Sequence, residues 1–431
     1  MALIGKRRGL VRRPLAAIVA VGVVALVVVL VIALGPQPPV HEMLPSLTVG
    51  DPAFVSTLEA LLATPVLGGN RVTLLLNGDE IFPAKLAAVR AARTSITYAE
   101  YFWGEGAVGQ ELADALAERC RAGVAVKVLL DGVGTLTMPA AHLQAMQRAG
   151  CRVASFRSLA AWDPRRHNYR NHRRVLVVDG RVGISGGSGV SDKWTGDGRR
   201  EGHWRDTDVR VEGPAVGWMQ AAFAENWREA THEVLGGPAY FPGQHPPAGE
   251  VRVQIVRSSP TSGGHAVYTM VLLAMASARR AIFLTNPYFV LDARMTDALI
   301  DAARRGVRVV ALTPGKIDHN IVRSASRRDF GRLIQAGIDI FEYQPALLHA
   351  KTVVVDGAWA TIGSTNLDNR SFALNDELNV VVHDVPFARG LAAVFERDLQ
   401  HARRVDYETW RRRSLKERMM ETLVLPLRDL L

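Results

Sequence analysis

The chain has 431 residues, 48% of them hydrophobic and 22% charged, with a formal net charge of +10. That length accommodates two domains of ordinary size, and those proportions exclude a chain too polar to build a core. A basic surface favours an anionic partner, lipid or nucleic acid, and charge alone does not choose between them.

Residues 1–13 form a basic segment carrying Lys6, Arg7, Arg8, Arg12 and Arg13; the rest of the chain is only mildly basic. A run without charge, Leu15 to Leu34, follows. Twenty residues at about 1.5 Å each span roughly 30 Å, the thickness of a hydrocarbon core, so a transmembrane helix is expected over 14–35. The competing reading is a cleaved secretion signal. Its apolar region would be long, and Pro36 follows the small-x-small triplet at its end, Ala33-Leu34-Gly35, a poor cleavage context. No Lys or Arg follows until Arg71. The positive-inside rule then places the N-terminus in the cytoplasm and the main body on the non-cytoplasmic side of the cell membrane.

Residues 36–70 read as a linker holding one short helix near Phe54–Ala63. Strand-like and helix-like runs then alternate: strand Thr73–Leu76, helix Pro83–Ala92, strand Ser95–Phe102, helix Gly109–Ala122, strand Val124–Leu130 and helix Pro139–Ala149. Such alternation favours an α/β layered architecture. Cys120 and Cys151 each lie near the start of a strand-like run. In an exported domain they would pair if those strands are neighbours; otherwise they are two buried thiols.

The sequence then restarts. Arg93-Thr94-Ser95-Ile96-Thr97-Tyr98 corresponds to Arg280-Ala281-Ile282-Phe283-Leu284-Thr285. Aromatic residues follow each, at Tyr101, Phe102 and Trp103 and at Tyr288 and Phe289; they either line a lipid pocket or belong to the core. The repeat is domain-sized rather than a solenoid period. With its boundary in the Pro/Gly-rich stretch Gly236–Gly249, it gives units over 71–243 and 244–431. The segment Trp410–Leu431 mixes Arg and Lys with Met, Leu and Val. It reads either as a helix on a membrane surface or, preferred, as a helix packed on the domain with its charges solvated.

Each unit holds one pattern of reactive residues: His172, Arg174, Asp179 and Gly186, then His349, Lys351, Asp356 and Gly363. The offsets from the histidine are two, seven and fourteen in both. Histidine and cation two apart project from one face of an extended strand. The aspartates, at odd spacing and at strand ends, fit a structural role better. The later glycines, with Gly187, Ser188, Ser364 and Asn366 nearby, allow backbone to approach phosphate oxygens. Cleaving a phosphodiester needs a nucleophile, neutralised charge and an acid for the leaving oxygen. One pattern supplies half of this machinery and two facing patterns supply all of it, through a covalent phosphohistidine.

His349-Ala-Lys351, Asp356 and Gly363-Ser364-Thr-Asn366 resemble the HxKxxxxDxxxxxxGSxN motif of the phospholipase D superfamily. Flanking runs such as Trp204-Arg205-Asp206-Thr207, Thr285-Asn286-Pro287-Tyr288-Phe289 and Asp368-Asn369-Arg370-Ser371-Phe372 resemble its bacterial cardiolipin synthase branch. The resemblance runs from about Arg71 to the C-terminus. It implies two tandem α/β domains related by a pseudo-twofold axis, with one active site at their interface. It also implies His172 as nucleophile and His349 as acid/base. Each histidine takes a downstream carboxylate that sets its tautomer, with Asp206 and Glu377 as candidates and Asp208 as an alternative to Asp206. The implied reaction is transphosphatidylation of anionic, phosphatidylglycerol-like lipids at a membrane, with no metal or other cofactor and no nucleic acid. Two departures stand in the first motif. Arg174 replaces the usual Lys, and Gly189 replaces the usual Asn. Hydrolysis of the same lipids is the nearest rival, and a nuclease or an inactive lipid-binding protein are more distant ones. His142, His203, His319 and His383 read as surface or core residues, with His319 the best candidate among them for a substrate contact.

Overall fold

The computed structural model describes residues 47–158, 168–260, 265–317 and 320–424. The expected membrane span and His319 lie outside them. Among the described residues no helix is long and apolar enough to cross a membrane.

One continuous sheet runs through both halves of the repeat. From one edge the first half contributes Arg152–Phe156, Ala125–Asp131, Ser95–Glu100, Val175–Val178, Val182–Gly186, Thr207–Glu212 and Leu67–Leu76. The second half continues with Val251–Ser258, Asn375–Val382, Trp359–Gly363, Thr352–Val355, Ala281–Thr285, Arg308–Pro314, Asp339–Tyr343 and Ala402–Arg404. The two orders mirror each other about the antiparallel pair Leu67–Leu76 and Val251–Ser258, where Leu67 faces Val253 and Asn70 faces Val251. Each histidine motif leads into an antiparallel hairpin: Val175 pairs Ser185, and Thr352 pairs Ile362. Their Val-rich strands are buried at every position, as expected of strands covered on both faces.

Helices cover the two faces. Ala266–Ser277 is apolar nearly all round and buries Val267, Met270, Val271, Leu272, Leu273 and Met275, which suits a helix enclosed by other elements. On the other face Val216–Thr231 packs Met219, Phe223 and Trp227 against strands of both halves, in one core cluster with Val253, Ile255 and Val380.

The expected α/β alternation is present, with shifted edges. The strand expected at Thr73–Leu76 begins at Leu67, because Leu67–Asn70 pairs with the second half; part of the expected linker is therefore sheet. The helix expected at Pro83–Ala92 begins at Asn77 and keeps Pro83 inside, with Asp79 and Glu80 in its first turn. The stretch Gly236–Gly249 carries neither helix nor strand. Cys120 and Cys151 form a disulfide, with 5.5 Å between their Cα atoms. The strands beside them, Ala125–Asp131 and Arg152–Phe156, are parallel neighbours, which is the condition set for that pairing.

Candidate active site

Extended backbone places His172 and Arg174 on one side of the strand and Arg173 on the other. Arg173 is buried and donates to the carbonyls of Ala222, Ser258 and Glu377, to Asn226 and to Glu225. In the second motif Ala350 takes its place, and His349 and Lys351 share the working side. The histidines are then exchanged between halves by short parallel pairings. Arg170–Asn171 pairs with Asn375–Asp376, and the His172 amide donates to the Asp376 carbonyl at 2.9 Å. Leu347–Leu348 pairs with Trp204–Arg205, and the His349 amide donates to the Arg205 carbonyl at 2.7 Å.

This exchange decides the carboxylate partners. His172 Nδ1 lies 2.8 Å from Glu377 Oε1, and His349 Nδ1 lies 2.7 Å from Asp206 Oδ2. Each histidine thus takes the carboxylate downstream of the other one. That corrects the expectation of a downstream partner for His349 and sharpens it for His172, whose partner comes from the other half. Asp208 is engaged elsewhere: it accepts from the Ser188 hydroxyl at 2.6 Å and pairs with Lys85 at 3.1 Å. Asp206 is therefore the orienting residue.

Burial pushes the pKa of His172 down, against the pull of Glu377. Burial, followed by the Lys351 charge, pushes His349 down to about 3. For the carboxylates burial acts in the opposite sense, but each facing imidazole and its hydrogen bond outweigh it, and Asp206 and Glu377 stay below the usual carboxylate range. At neutral pH both rings are neutral, donate Nδ1–H to an ionised carboxylate and carry their lone pair on Nε2.

The two rings share one site. Arg174 Nη2 lies 3.4 Å from His172 Nε2. The same guanidinium lies 5.8 Å from the Trp194 ring centre, and Trp194 meets the His349 ring edge-on at 5.4 Å. Lys351 Nζ stands 3.0 Å from His349 Nε2. Tyr101 packs edge-on against His172 at 4.7 Å, and Trp204 packs on His349 at 5.0 Å. Arg174 Nε and Nη1 are buried without a hydrogen-bond partner, although Glu100 lies 3.7 Å from Nε. A guanidinium so placed keeps N–H donors unsatisfied and free for a phosphate oxygen.

The missing amide at Gly189 has a structural answer. A Cβ there would stand 3.0 Å from the Trp194 ring. The indole fills the space over this glycine and donates Nε1–H to Asp206 Oδ2 at 2.8 Å. Gly187 is needed for the same reason, since a Cβ there would lie 2.2 Å from Asp206 Oδ1. In the second motif a serine and an asparagine occupy these places: the Ser364 hydroxyl donates to Glu377, and Asn366 leaves its buried Oδ1 unpaired. Of the four residues expected near phosphate, Ser188 and Ser364 donate to carboxylates, Gly187 leaves room for one, and Asn366 keeps an unpaired side-chain oxygen.

Asp179 and Asp356 do not reach the site. Seven residues of strand at about 3.3 Å each separate them from their histidines. Asp179 accepts from the backbone amides of Arg93, Thr94 and Ser95, and Asp356 from those of Arg279, Arg280 and Ala281. They pin the strands beside the motifs, so of each repeated pattern the histidine and the cation form the site and the aspartate does not. Trp194 and Glu100 were not singled out from sequence, and Trp204 stood out only as part of a flanking run. His142 lies in the core against Trp103 Nε1 at 3.2 Å. Of the aromatic groups, Tyr101 borders the site, while Trp103 and Phe289 are buried in the core.

A duplicated α/β sheet that brings two histidines, two cations and two crossed carboxylates to one buried site defines a phospholipase D-type fold. The chain belongs to that family: the model described as "Cardiolipin synthase, PLD-like domain" matches residues 86–227 and 271–399. The chain is 34% identical to cardiolipin synthase 1 of Bacillus cereus over 368 residues, covering 84% of this chain and 72% of that one. It is 36% identical to cardiolipin synthase A of Pseudomonas putida over 373 residues, covering 86% and 77%. The solved phosphatidylserine synthase of Haemophilus influenzae superposes with a TM-score of 0.67 at 14% identity, covering 88% of this chain and all of that one, and shows the fold alone.

Proposed function

We propose that the protein is a phosphatidyltransferase of the cardiolipin synthase type, acting on phosphatidylglycerol-like lipids. The observation that carries this is the pair of imidazoles, each held by a carboxylate from the opposite half, with Arg174 beside His172 and Lys351 beside His349. His172 Nε2 attacks phosphorus; an N–P bond forms as the bond to the departing glycerol oxygen breaks. His349 supplies the proton to that oxygen. The bound phosphodiester's negative charge offsets the Arg174 and Lys351 charges that disfavour the His349 imidazolium, so the anion itself helps to protonate the acid. In the second half-reaction His349 takes the proton from the hydroxyl of a second lipid, whose oxygen displaces His172 from phosphorus. The products are a cardiolipin-like lipid and free glycerol.

The same reading includes two units over 71–243 and 244–431, and a single anchor over 14–35 that holds them on the non-cytoplasmic side of the cell membrane. The Cys120–Cys151 bridge supports that side, since disulfides persist in oxidising compartments. Incubating the purified full chain with phosphatidylglycerol and separating the lipids tests the reaction. Cardiolipin with released glycerol is the expected outcome; phosphatidic acid alone would mean that water is the acceptor.

A further inference from the structure

The last described helix, Leu415–Leu423, is packed inside out. Leu415, Met419 and Leu423, at helical spacing of four, are 76%, 64% and 66% exposed, and Met420 is 39% exposed. The residue turned inward is Glu421, 5% exposed, which accepts from Arg413 Nε and Nη2 at 2.7 Å. A surface helix of a water-soluble face does the reverse, burying its Leu and Met and solvating its Glu. The preferred sequence expectation for the segment, a packed helix with solvated charges, holds for its cations and fails for Leu415, Met419, Leu423 and Glu421. The cations around the apolar row are exposed: Arg411, Arg412, Lys416 and Arg418. Glu417 is turned back into the capping box with Ser414.

The helix also lies on a short chain of contacts to the candidate active site. Val424 packs in a cluster with Val290 and Ala325. Trp410 Nε1 donates to the Arg327 carbonyl at 2.7 Å, and the Ser326 hydroxyl donates to the Phe289 carbonyl at 2.7 Å. Asn286, at the end of the same loop, accepts from the amide of Leu367, next to Asn366.

We infer that the apolar face of Leu415–Leu423, rimmed by Arg411, Arg412, Lys416 and Arg418, is the surface on which the protein rests on an anionic bilayer. Leu and Met side chains enter the boundary between headgroups and acyl chains, while the cations stay at the level of the lipid phosphates. The charge pattern selects this occupant, because an exposed apolar row bordered by Lys416 and Arg418, with Arg411 and Arg412 sharing the single carboxylate of Glu408, carries an excess of positive charge that matches a negatively charged apolar surface. The surface does not depend on the catalytic reading.

The native cysteines are tied to each other, so Met419→Cys in the full chain gives one thiol for a fluorophore. In proteoliposomes of phosphatidylglycerol containing lipids with a headgroup-level quencher, the dye is expected to be quenched. Substituting phosphatidylcholine or raising salt should relieve most of the quenching. A dye left unquenched in phosphatidylglycerol overturns the inference, as does self-quenching between copies in detergent, which would make the face a contact between chains. As a second readout, the triple variant Leu415→Ser, Met419→Ser, Leu423→Ser should lose about tenfold of its turnover on vesicular phosphatidylglycerol and none on a short-chain monomeric lipid. Equal loss on both, or loss on neither, also overturns it. Absence of turnover by the unmodified chain on either lipid, with the dye still quenched, would sink the catalytic reading alone.

Discussion

The two halves of the molecule perform one geometric task with different chemistry. In the first half the carboxylate Asp206 is held by an indole and faces a histidine flanked by Trp194 and Trp204. In the second half Glu377 is held by the Ser364 hydroxyl and the Asn375 amide, and faces a histidine flanked by Tyr101. The same contrast runs deeper. Asp208 forms a buried ion pair with Lys85, whereas Asn379, at the matching register, binds Thr361 and Thr365 through neutral groups. Glu100 beside Arg174 corresponds to Asn286 in the second half. Duplication preserved the positions of imidazole and cation, while the groups that hold them were free to diverge.

The largest effect should come from removing either imidazole, and it should break the symmetry. His172→Ala and His349→Ala are each expected to lower lipid turnover by at least about 10²–10⁴-fold. With a substrate whose leaving group needs no proton, such as a nitrophenyl phosphodiester, His349→Ala should still accumulate phosphohistidine, and His172→Ala should form none. Acid-quenched gels or mass spectrometry read the adduct. An adduct found only in His172→Ala would reverse the two roles.

The motifs were legible because their spacing is local. A strand projects alternate residues to one face, and an Asp-Gly turn ends it. Asp179 and Asp356 share that regularity without sharing the site, since the motif records the strand's whole length and the chemistry uses one end. The carboxylate pairing was not legible in full. Asp206 and Glu377 stood out as residues, but their partners depend on two short parallel pairings that cross between halves. Trp194 left no signal of its own. Only the gap at Gly189 hinted that something else must fill that place. The α/β alternation could be read directly, whereas the joining strand was hidden because Leu67–Asn70 contains two glycines and pairs with residues far along the chain.

The next comparison concerns stability. Only the first half carries the disulfide; at the matching places in the second half Ala303 and Ile338 pack in one apolar cluster. Closing a loop of 31 residues constrains the unfolded chain by about 3–4 kcal/mol. Cys120→Ala with Cys151→Val should lose about that much, read by denaturant unfolding, with kcat unchanged below the transition. Loss of activity under native conditions would instead couple the bridge to the cleft.

Trp194→Phe keeps the ring over Gly189 and removes one buried N–H, a change worth roughly 1 kcal/mol, or about a fivefold to tenfold loss in kcat. Without that donor the Asp206 carboxyl should rise, so the acid limb of the pH–rate profile should move to higher pH. A merely space-filling indole would leave the limb in place. The matching removal in the second half, Ser364→Ala, should move the limb through Glu377.

Arg174→Lys makes the first motif's cation the same as the second's, and is expected to have the smallest effect. Charge is kept, so kcat should change little. The two N–H groups that the guanidinium presents are lost, and the shorter ammonium is drawn to Glu100, which lies 3.7 Å from Arg174 Nε. We expect KM for the lipid to rise by about threefold to tenfold, the cost of replacing a forked donor with a point charge. Adding Glu100→Gln to Arg174→Lys frees the ammonium and should recover part of that rise. If instead Arg174→Lys lowers kcat a hundredfold while KM holds, the guanidinium acts in the transition state rather than in binding. The first half would then supply charge stabilisation that Lys351 in the second half does not match.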